Sequence, residues 1–425
     1  MLSSSRGFDS QLRLAIRVRH LVLATLLVLV AVTACWSGDR ESAPDLALVG
    51  GKIYSSPTAA PINDGVVLIR HGKIIEIRPR GRSLPKAAQV IDCKGKVIVA
   101  GFWNSHVHFT EPVWSGAATA PADKLESHMQ EMLTRWGFVA VFDLGSMPED
   151  TGALKRRIAS GELAGPRIFM AGDIFPKNGI PIYLPKDANL PQAGTPEEAR
   201  ALAVGYMAAG DDAVKLFTGS FQGDKPVINM PEAVAQAAVE VAHAHGKPVF
   251  THPQNYAGVD NALAAGVDIL AHTIPAEGRF TAAELARMKT QHTLLIPTLT
   301  LWEFVFESEH APVEAERRFV QAGVDELKSF FDQGGTVLFG TDVGFTNRYD
   351  TTDEYVLMAK SGMTWNDILA SLTTNPAAFF KAGTGELAAG GAADLVVLDG
   401  DPAHDVRSFA NVDYTIRDGK VIYKR

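Results

Sequence analysis

The chain has 425 residues, a formal net charge of −8 and 46% hydrophobic residues. A chain of this length and composition buries a large core, and it suits one large catalytic domain with an accessory module better than several small domains. The acidic balance, without a basic stripe, argues against nucleic acid as a partner.

The first 34 residues have the pattern of a cleaved signal peptide. Four arginines against one aspartate give residues 1–34 a charge of +3, so their removal would leave a chain of −11. The positive stretch QLRLAIRVRH precedes the apolar run LVLATLLVLVAVTA, which is shorter than the roughly 20 apolar residues of a membrane span. An uncleaved N-terminal anchor is the alternative interpretation.

The apolar run ends at VTAC, in which Cys35 follows a small residue. This ending resembles the lipobox of bacterial lipoproteins, which implies that Cys35 receives lipid and becomes the new N-terminus. The resemblance implies export and a lipid anchor on the periplasmic face of a bacterial membrane. Position 36 is Trp36 and not Asp, so the usual signal for inner-membrane retention is absent and the outer membrane is the expected destination. Residues 35–45 are predicted to form a tether.

The other cysteine of the chain is Cys93, so no intrachain disulfide remains once Cys35 is acylated. Cys93 lies in the strand-like run VIDCKGKVIVAG. A free cysteine in such a run behaves as a small hydrophobic side chain, and Cys93 is therefore predicted to be buried.

The two ends of the mature chain share a pattern of short alternating strands. LALVGGKIY and GVVLIRHGKIIEIRP lie near the start, and ADLVVLDGD and VDYTIRDGKVIYKR lie near the end. Turns at His71-Gly72 and at Asp418-Gly419 are predicted to join two strands at each end. Neither end has enough strand to close a core alone. Together they are predicted to form one small β-sandwich, from residues 46–96 and 384–425.

Between the two ends, apolar strand candidates alternate with helical patterns. One helix is predicted to start at Thr195, because a proline follows and Glu198 completes a capping box. Eight strand–helix units match a (β/α)8 TIM barrel, which we assign to residues 97–383. An open doubly wound sheet is the alternative, but no glycine-rich phosphate fingerprint follows the first strand. The strands are predicted to begin near Val97, Phe138, Arg167, Asp212, Pro248, Asp268, Thr293 and Thr336.

Two histidines follow the first apolar strand candidate, in NSHVHF. Side chains i and i+2 of a strand share a face, so His106 and His108 can point together into the barrel, and imidazole suits zinc and similar ions. Further candidate ligands stand where other predicted strands stop, which is the catalytic face of a barrel. They are Lys215 in DAVKLF, His252 in PVFTHP, His272 in DILAHT and Asp342 in TVLFGTDVG.

This set of residues resembles that of the amidohydrolase superfamily. It is most similar to the branch that contains imidazolonepropionase-related enzymes and metal-dependent prolidases. The similarity extends over nearly the whole mature chain, including NPA at residues 375–377 and GELAAGGAADLVVLD near the end. The resemblance implies a barrel with a flanking sandwich and a metal-dependent hydrolase.

The resemblance also implies the role of each residue. Two divalent ions, expected to be zinc, would be bridged by Lys215 as N6-carboxylysine, since an ammonium cannot ligate a cation and a carbamate can. The metals would acidify a water, and Asp342 would take its proton and later deliver it to the leaving nitrogen. A structural salt bridge of Lys215 or a single-metal site is the alternative. The first metal is assigned to His106, His108 and Asp342, and the second to His252 and His272.

The expected reaction is hydrolysis of a C–N amide or peptide bond in a small molecule, such as an N-acyl amino acid or a dipeptide. A mononuclear cyclic amidohydrolase or deaminase is one alternative. A non-catalytic lipoprotein that binds a small ligand is another, although the retained metal ligands argue against it. Organophosphate or lactone hydrolysis also stays open, because the same metals stabilise those transition states. The oligomeric state is open, a homo-oligomer included.

Three residues near strand ends are weaker candidates for substrate binding. Tyr256 and Trp302 follow strand ends and could shape a pocket, although aromatic side chains in loops more often only pack. Arg348 lies in the loop after Asp342 and could hold a substrate carboxylate, although a solvated surface arginine is an equal alternative.

Overall fold

The computed structural model describes residues 43–185, 189–383 and 385–425. The predicted signal peptide, Cys35 and most of the predicted tether lie outside the described residues, so they stay predictions. Within the described ranges, no helix is both long and apolar enough to cross a membrane.

The described chain begins and ends in strands, with helices between the central strands. The strands are β1 (Leu46–Ile53), β2 (Ile62–Arg70), β3 (Lys73–Pro79), β4 (Gln89–Asp92), β5 (Val97–Ala100), β6 (Phe102–Val107), β7 (Phe138–Asp143), β8 (Arg167–Pro176), β9 (Gln192–Ala193), β10 (Ala213–Phe217), β11 (Gly219–Gln222), β12 (Lys225–Asn229), β13 (Val249–His252), β14 (Ile269–Ala271), β15 (Leu294–Ile296), β16 (Leu395–Leu398), β17 (Val412–Arg417) and β18 (Lys420–Lys424). The α-helices are α1 (Ala122–Met132), α2 (Pro148–Ala159), α3 (Pro196–Ala209), α4 (Glu232–Ala244), α5 (Tyr256–Ala265), α6 (Ala282–Gln291), α7 (Leu299–Ser308), α8 (Val313–Asp332), α9 (Thr352–Lys360), α10 (Trp365–Leu372) and α11 (Thr374–Phe379).

The strands from the two ends of the chain form one sheet. Its neighbours run β3-β2-β1-β5-β16-β17-β18, with β4 also paired to β1. The two ends meet where β5 pairs antiparallel with β16, and their side chains share one apolar core that includes Cys93. The turns at His71-Gly72 and Asp418-Gly419 are confirmed, because all four residues have the positive φ of a type I′ hairpin. The arrangement of this sheet as a sandwich stays a prediction.

The central strands form a parallel sheet that curves into a nearly closed barrel. Its order is β6-β7-β8-β10-β13-β14-β15. The segment 336–343 lies between β15 and β6: Leu338 N donates to Leu295 O at 3.0 Å, and Ser105 N donates to Phe339 O at 2.7 Å. The fold is thus a TIM-like barrel and not an open doubly wound sheet. The capping box at Thr195 is confirmed at the start of α3.

The sequence predicts that the apolar run from Val97 forms one strand, the first of the barrel, whereas the structure divides this run into two strands. Its first part is β5 of the terminal sheet, and β6 starts the barrel after Gly101. A Cβ at Gly101 would lie 2.4 Å from Val139 Cγ2, so only glycine fits between the two strands. Every residue of β5 and β6 is buried, which is why the hydrophobic pattern shows no boundary between them.

Aromatic side chains fill part of the barrel interior. Trp103 stacks between Phe169 and Phe380, at ring-centroid distances of 5.3 and 5.6 Å. Phe142 contacts Phe250 at 4.8 Å. Phe250 and the candidate ligand two residues later on β13 share the inward face of the strand. This packing fixes the strands whose ends carry the candidate site.

Candidate metal centre

The predicted metal ligands lie at one end of the barrel. The carboxyl ends of its parallel strands meet on one rim, which brings together residues that are far apart in the chain. Each of these residues is at most 8% exposed except His108, whose side chain is 14% exposed. The set comprises His106 in β6, His108 just after it, Lys215 in β10, His252 at the end of β13, His272 directly after β14, and Asp342 in the segment 336–343.

Three ligand atoms converge at the junction of β6 and the segment 336–343. The Nε2 atoms of His106 and His108 lie 3.2 Å apart. Asp342 Oδ1 lies 3.2 Å from the first nitrogen and 2.9 Å from the second. On the other side, His272 Nε2 lies 3.9 Å from Asp342 Oδ2. Two imidazole nitrogens and a carboxylate oxygen within 4.8 Å of one another are a donor set that zinc and similar divalent ions bind.

Hydrogen bonding orients His108 for a cation. Its Nδ1 donates to Gly145 O at 2.7 Å, so Nε2 keeps a lone pair directed at Asp342 Oδ1. That oxygen is buried and accepts no hydrogen bond from the described residues. Two lone pairs facing each other at 2.9 Å repel, so the arrangement requires a positive charge between them. A divalent metal ion therefore fits this donor set.

The pKa values show the same requirement. Burial lowers the pKa of His108, but the Asp342 carboxylate 2.9 Å away outweighs burial and raises it. Burial would raise the pKa of Asp342, yet the neighbouring imidazoles hold it well below its ordinary value. Burial lowers the pKa of His106 to about 3, so this ring is neutral at pH 7 and offers a lone pair. A proton on His108 and a metal ion would compete for the same place.

His272 is oriented by the turn that follows β15. Thr298 Oγ1 donates to Pro297 O at 2.9 Å and accepts from His272 Nδ1 at 2.6 Å, which leaves Nε2 of the histidine with a lone pair. Glu354 holds the turn after Thr298 by accepting from the next two backbone N–H groups at 2.9 and 2.8 Å. Thr298, His272 and Asp342 all have positive φ (43°, 76° and 58°), a strain that clusters at functional sites.

His252 and Lys215 lie beside the three-atom group and are not part of it. The rings of His252 and His272 are 4.8 Å apart, but His252 Nε2 lies 2.9 Å from Gln254 Oε1. Lys215 is 1% exposed and pairs in register with Asp173 of β8. Burial lowers the pKa of Lys215, and the Asp173 carboxylate opposes this effect.

The family model of the amidohydrolases matches residues 97–422. The chain belongs to the amidohydrolase family. Membership supports a hydrolase that acts on C–N bonds, and amidohydrolases typically use divalent metals. The His106–His108–Asp342 group is the candidate site for such a metal in this chain.

Curated relatives and solved structures are similar over most of the chain. The dihydroorotase of Lactococcus lactis subsp. lactis is 23% identical over 84% of this chain and 94% of its own length. A Xaa-Pro dipeptidase with bound methionine has a TM-score of 0.75 at 23% identity, covering 89% of this chain and 100% of that structure. A putative prolidase from Bifidobacterium longum also has a TM-score of 0.75, at 24% identity, with coverages of 89% and 94%. At these identities the structural likeness shows a shared fold.

The three weaker candidates occupy different settings in this amidohydrolase. Tyr256 donates to the carbonyl oxygens of Glu277 and Arg279 at 2.6 and 2.7 Å, so its hydroxyl ties two loops together. The Trp302 ring lies 6.3 Å from the His272 ring, beside the candidate site. Arg348 is bound by two carboxylates of α7, Glu303 at 2.9 Å and Glu307. Its guanidinium is therefore not the free cation that a substrate carboxylate would need.

Four further residues at the site were not among the predicted ones. The backbone oxygen of Gly145 holds His108, and the hydroxyl oxygen of Thr298 holds His272. No sequence pattern for metal ligands predicts either contact. Tyr183 lies in the loop after β8 and packs against the ring of Phe345, three residues after Asp342 in the chain. Asp173 is the one case with a sequence signal, because it is the only charged side chain inside the apolar part of RIFMAGDIFP.

Proposed function

We propose that this amidohydrolase is a metal-dependent enzyme that cleaves a linear C–N amide bond in a small molecule, such as an N-acyl amino acid or a dipeptide. The observation that carries the proposal is the convergence of three lone-pair donors, His106 Nε2, His108 Nε2 and Asp342 Oδ1, on one buried point. The fold shared with the Xaa-Pro dipeptidase supports a linear substrate.

In this proposal each residue has a defined task. His106, His108 and Asp342 hold one divalent ion, zinc by expectation, and His252 and His272 contribute to a second. Ions bound there would lower the pKa of a water towards about 7 and would polarise the carbonyl of the substrate. Asp342 accepts the proton of the attacking water at its carboxylate and delivers it to the leaving nitrogen.

Lys215 is proposed to be carboxylated. A neutral amine adds carbon dioxide to form a carbamate and releases one proton, whereas an ammonium has no lone pair for the reaction. Burial favours the neutral amine by lowering the pKa of Lys215. The resulting N6-carboxylysine would supply two anionic oxygens to bridge the ions.

A mononuclear cyclic amidohydrolase or deaminase is the second candidate function. It is favoured by the compact group, which has three residues and omits His252. The dihydroorotase of Lactococcus lactis and the 5'-deoxyadenosine deaminase of Methanococcoides burtonii are relatives at 23% identity that fit this alternative. A non-catalytic protein would bind a small ligand at the same residues without turnover.

We also propose that the enzyme is exported and anchored through lipid at Cys35. The support is the sequence VTAC after a short apolar run. Mass spectrometry of the membrane-bound protein should find an acylated N-terminal Cys35, and an unmodified Cys35 behind an intact segment 1–34 would contradict the lipid anchor.

A hydrolysis screen tests the proposed reaction. The full chain, purified in detergent and loaded with zinc and bicarbonate, is offered dipeptides, N-acyl amino acids, cyclic amides and esters, each with and without chelator. We expect chelator-sensitive cleavage of linear amides. Turnover of ring substrates alone would support the cyclic alternative, and binding without any turnover would support the non-catalytic one.

A further inference from the structure

Three segments that follow barrel strands bring aromatic side chains together at the carboxyl end of the barrel. Tyr183 follows β8, Phe304 lies on α7 after β15, and Phe345 follows Asp342. The Tyr183 and Phe345 rings meet edge to face with centroids 5.2 Å apart, and Phe304 meets Phe345 at 6.1 Å. We call these three side chains the aromatic rim.

The aromatic rim is continuous with the metal centre. Phe345 N donates to Asp342 O at 3.2 Å, so the ring and the ligand share one tight turn. Burial raises the pKa of the Tyr183 hydroxyl, and the charges of Asp342 and Asp173 act in the same direction. We therefore expect a substrate group attached to the reacting bond to lie next to Phe345.

Part of the aromatic rim is open to solvent in a fixed position. Tyr183 is 41% exposed and its neighbour Ile182 is 50% exposed. The loop that carries them is fastened to the β11–β12 hairpin, because Ile182 N donates to Phe221 O at 3.2 Å and Gln222 Nε2 donates to Ile180 O at 3.1 Å. Apolar and aromatic side chains beside a few polar groups are the lining that small-molecule sites use.

The arginine next to the rim is already paired with two carboxylates. Arg348 is three residues after Phe345, and its guanidinium is bound by Glu303 at 2.9 Å and by Glu307. Both glutamates lie on α7, the helix that also carries Phe304. A substrate carboxylate could reach this arginine only by displacing two carboxylates that are already bound. This side of the site therefore disfavours an anionic group.

We propose that the aromatic rim binds an uncharged apolar group, aromatic or bulky aliphatic, attached directly to the scissile C–N bond of the substrate. This inference rests on the proposed amide hydrolysis and narrows its substrate class from amides in general to amides with such a group. A dipeptide with a free carboxylate on that side is then a poor substrate. The alternative is that the three rings only pack the loops against each other.

Matched ligands and variants test the rim. In the first series, one amine carries acetyl, phenylacetyl or succinyl as its acyl group. In the second series, one acyl group is joined to a small, a phenyl-bearing or a carboxylate-bearing amine. Wild type is compared with Tyr183→Ala and Tyr183→Phe, and with Val204→Ala, which truncates an exposed apolar side chain on α3. Metal content is measured in every variant. Equilibrium binding of phenylacetamide and of succinamate, followed by fluorescence, gives a readout that needs no turnover.

We expect the phenyl-bearing substrate of one of the two series to give a kcat/KM at least about 10-fold above the carboxylate-bearing substrate of the same series. Tyr183→Ala should raise KM for that substrate about 10-fold with unchanged metal content, Tyr183→Phe should restore most of the affinity, and Val204→Ala should behave as wild type. Equal use of apolar and anionic substrates, or equal loss on all substrates in Tyr183→Ala, would overturn the inference. Selective binding of phenylacetamide without any hydrolysis would instead contradict the proposed function and leave the rim standing.

Discussion

Replacing Asp342 by asparagine is expected to lower kcat by about 10²- to 10⁴-fold on any amide that the wild type hydrolyses. The amide keeps the size of the side chain but loses its negative charge and its capacity to accept a proton. Both losses act where the carboxylate faces two imidazole nitrogens at 2.9 and 3.2 Å. The rate is measured at saturating zinc, together with the zinc content of the purified variant.

The control for this variant is Asp332→Asn, which removes an exposed carboxylate that pairs with Lys328 on α8. It should leave the rate unchanged, because the residue lies on an outer helix. A rate for Asp342→Asn within a few-fold of the wild type, at full zinc content, would mean that another group accepts the proton.

Replacing Phe250 by alanine is expected to lower the free energy of unfolding by about 3–5 kcal/mol. Phe250 is fully buried inside the barrel, with Phe142 at 4.8 Å and Phe380 at 6.1 Å between ring centroids. These neighbours belong to different elements and cannot all move in to fill the cavity. Denaturant unfolding of the purified variant and of the wild type measures the change. The comparison requires that the free energy of unfolding falls with denaturant concentration at the same slope in both proteins.

Phe250→Leu is the matched control, because it keeps an apolar side chain of intermediate size in the same place. We expect it to lose clearly less stability than Phe250→Ala. Equal losses in the two variants would contradict the cavity explanation and would indicate that the aromatic ring itself is required.

Much of the fold can be predicted from local patterns. The residue pairs His71-Gly72 and Asp418-Gly419 predict the hairpins, and both pairs have positive φ in the structure. The capping box at Thr195 predicts a helix. The histidines at 106 and 108 are visible because a strand places alternate side chains on one face. Such features depend on residues that are close in the sequence.

The remaining features depend on neighbours that are distant in the sequence. Arg348 pairs with Glu303, which lies 45 positions away in the chain. The sequence around Arg348 therefore does not show that this loop arginine is paired. The end of β5 at Ala100 is set by its pairing with β16 and not by any change in hydrophobicity. Thr298 acts through a hydroxyl bonded to a histidine on another strand, and threonine is too common for such a role to be predicted.

The central claim, that His106, His108 and Asp342 hold a metal on which hydrolysis depends, is tested most directly by metal removal. The wild type is stripped with chelator, its bound metal is counted by mass spectrometry, and its hydrolysis rate is measured before stripping, after it, and after zinc is returned. We predict that the rate falls with the metal and returns with it, and that His106→Ala recovers neither. Full hydrolysis by protein that carries no detectable metal would contradict the account.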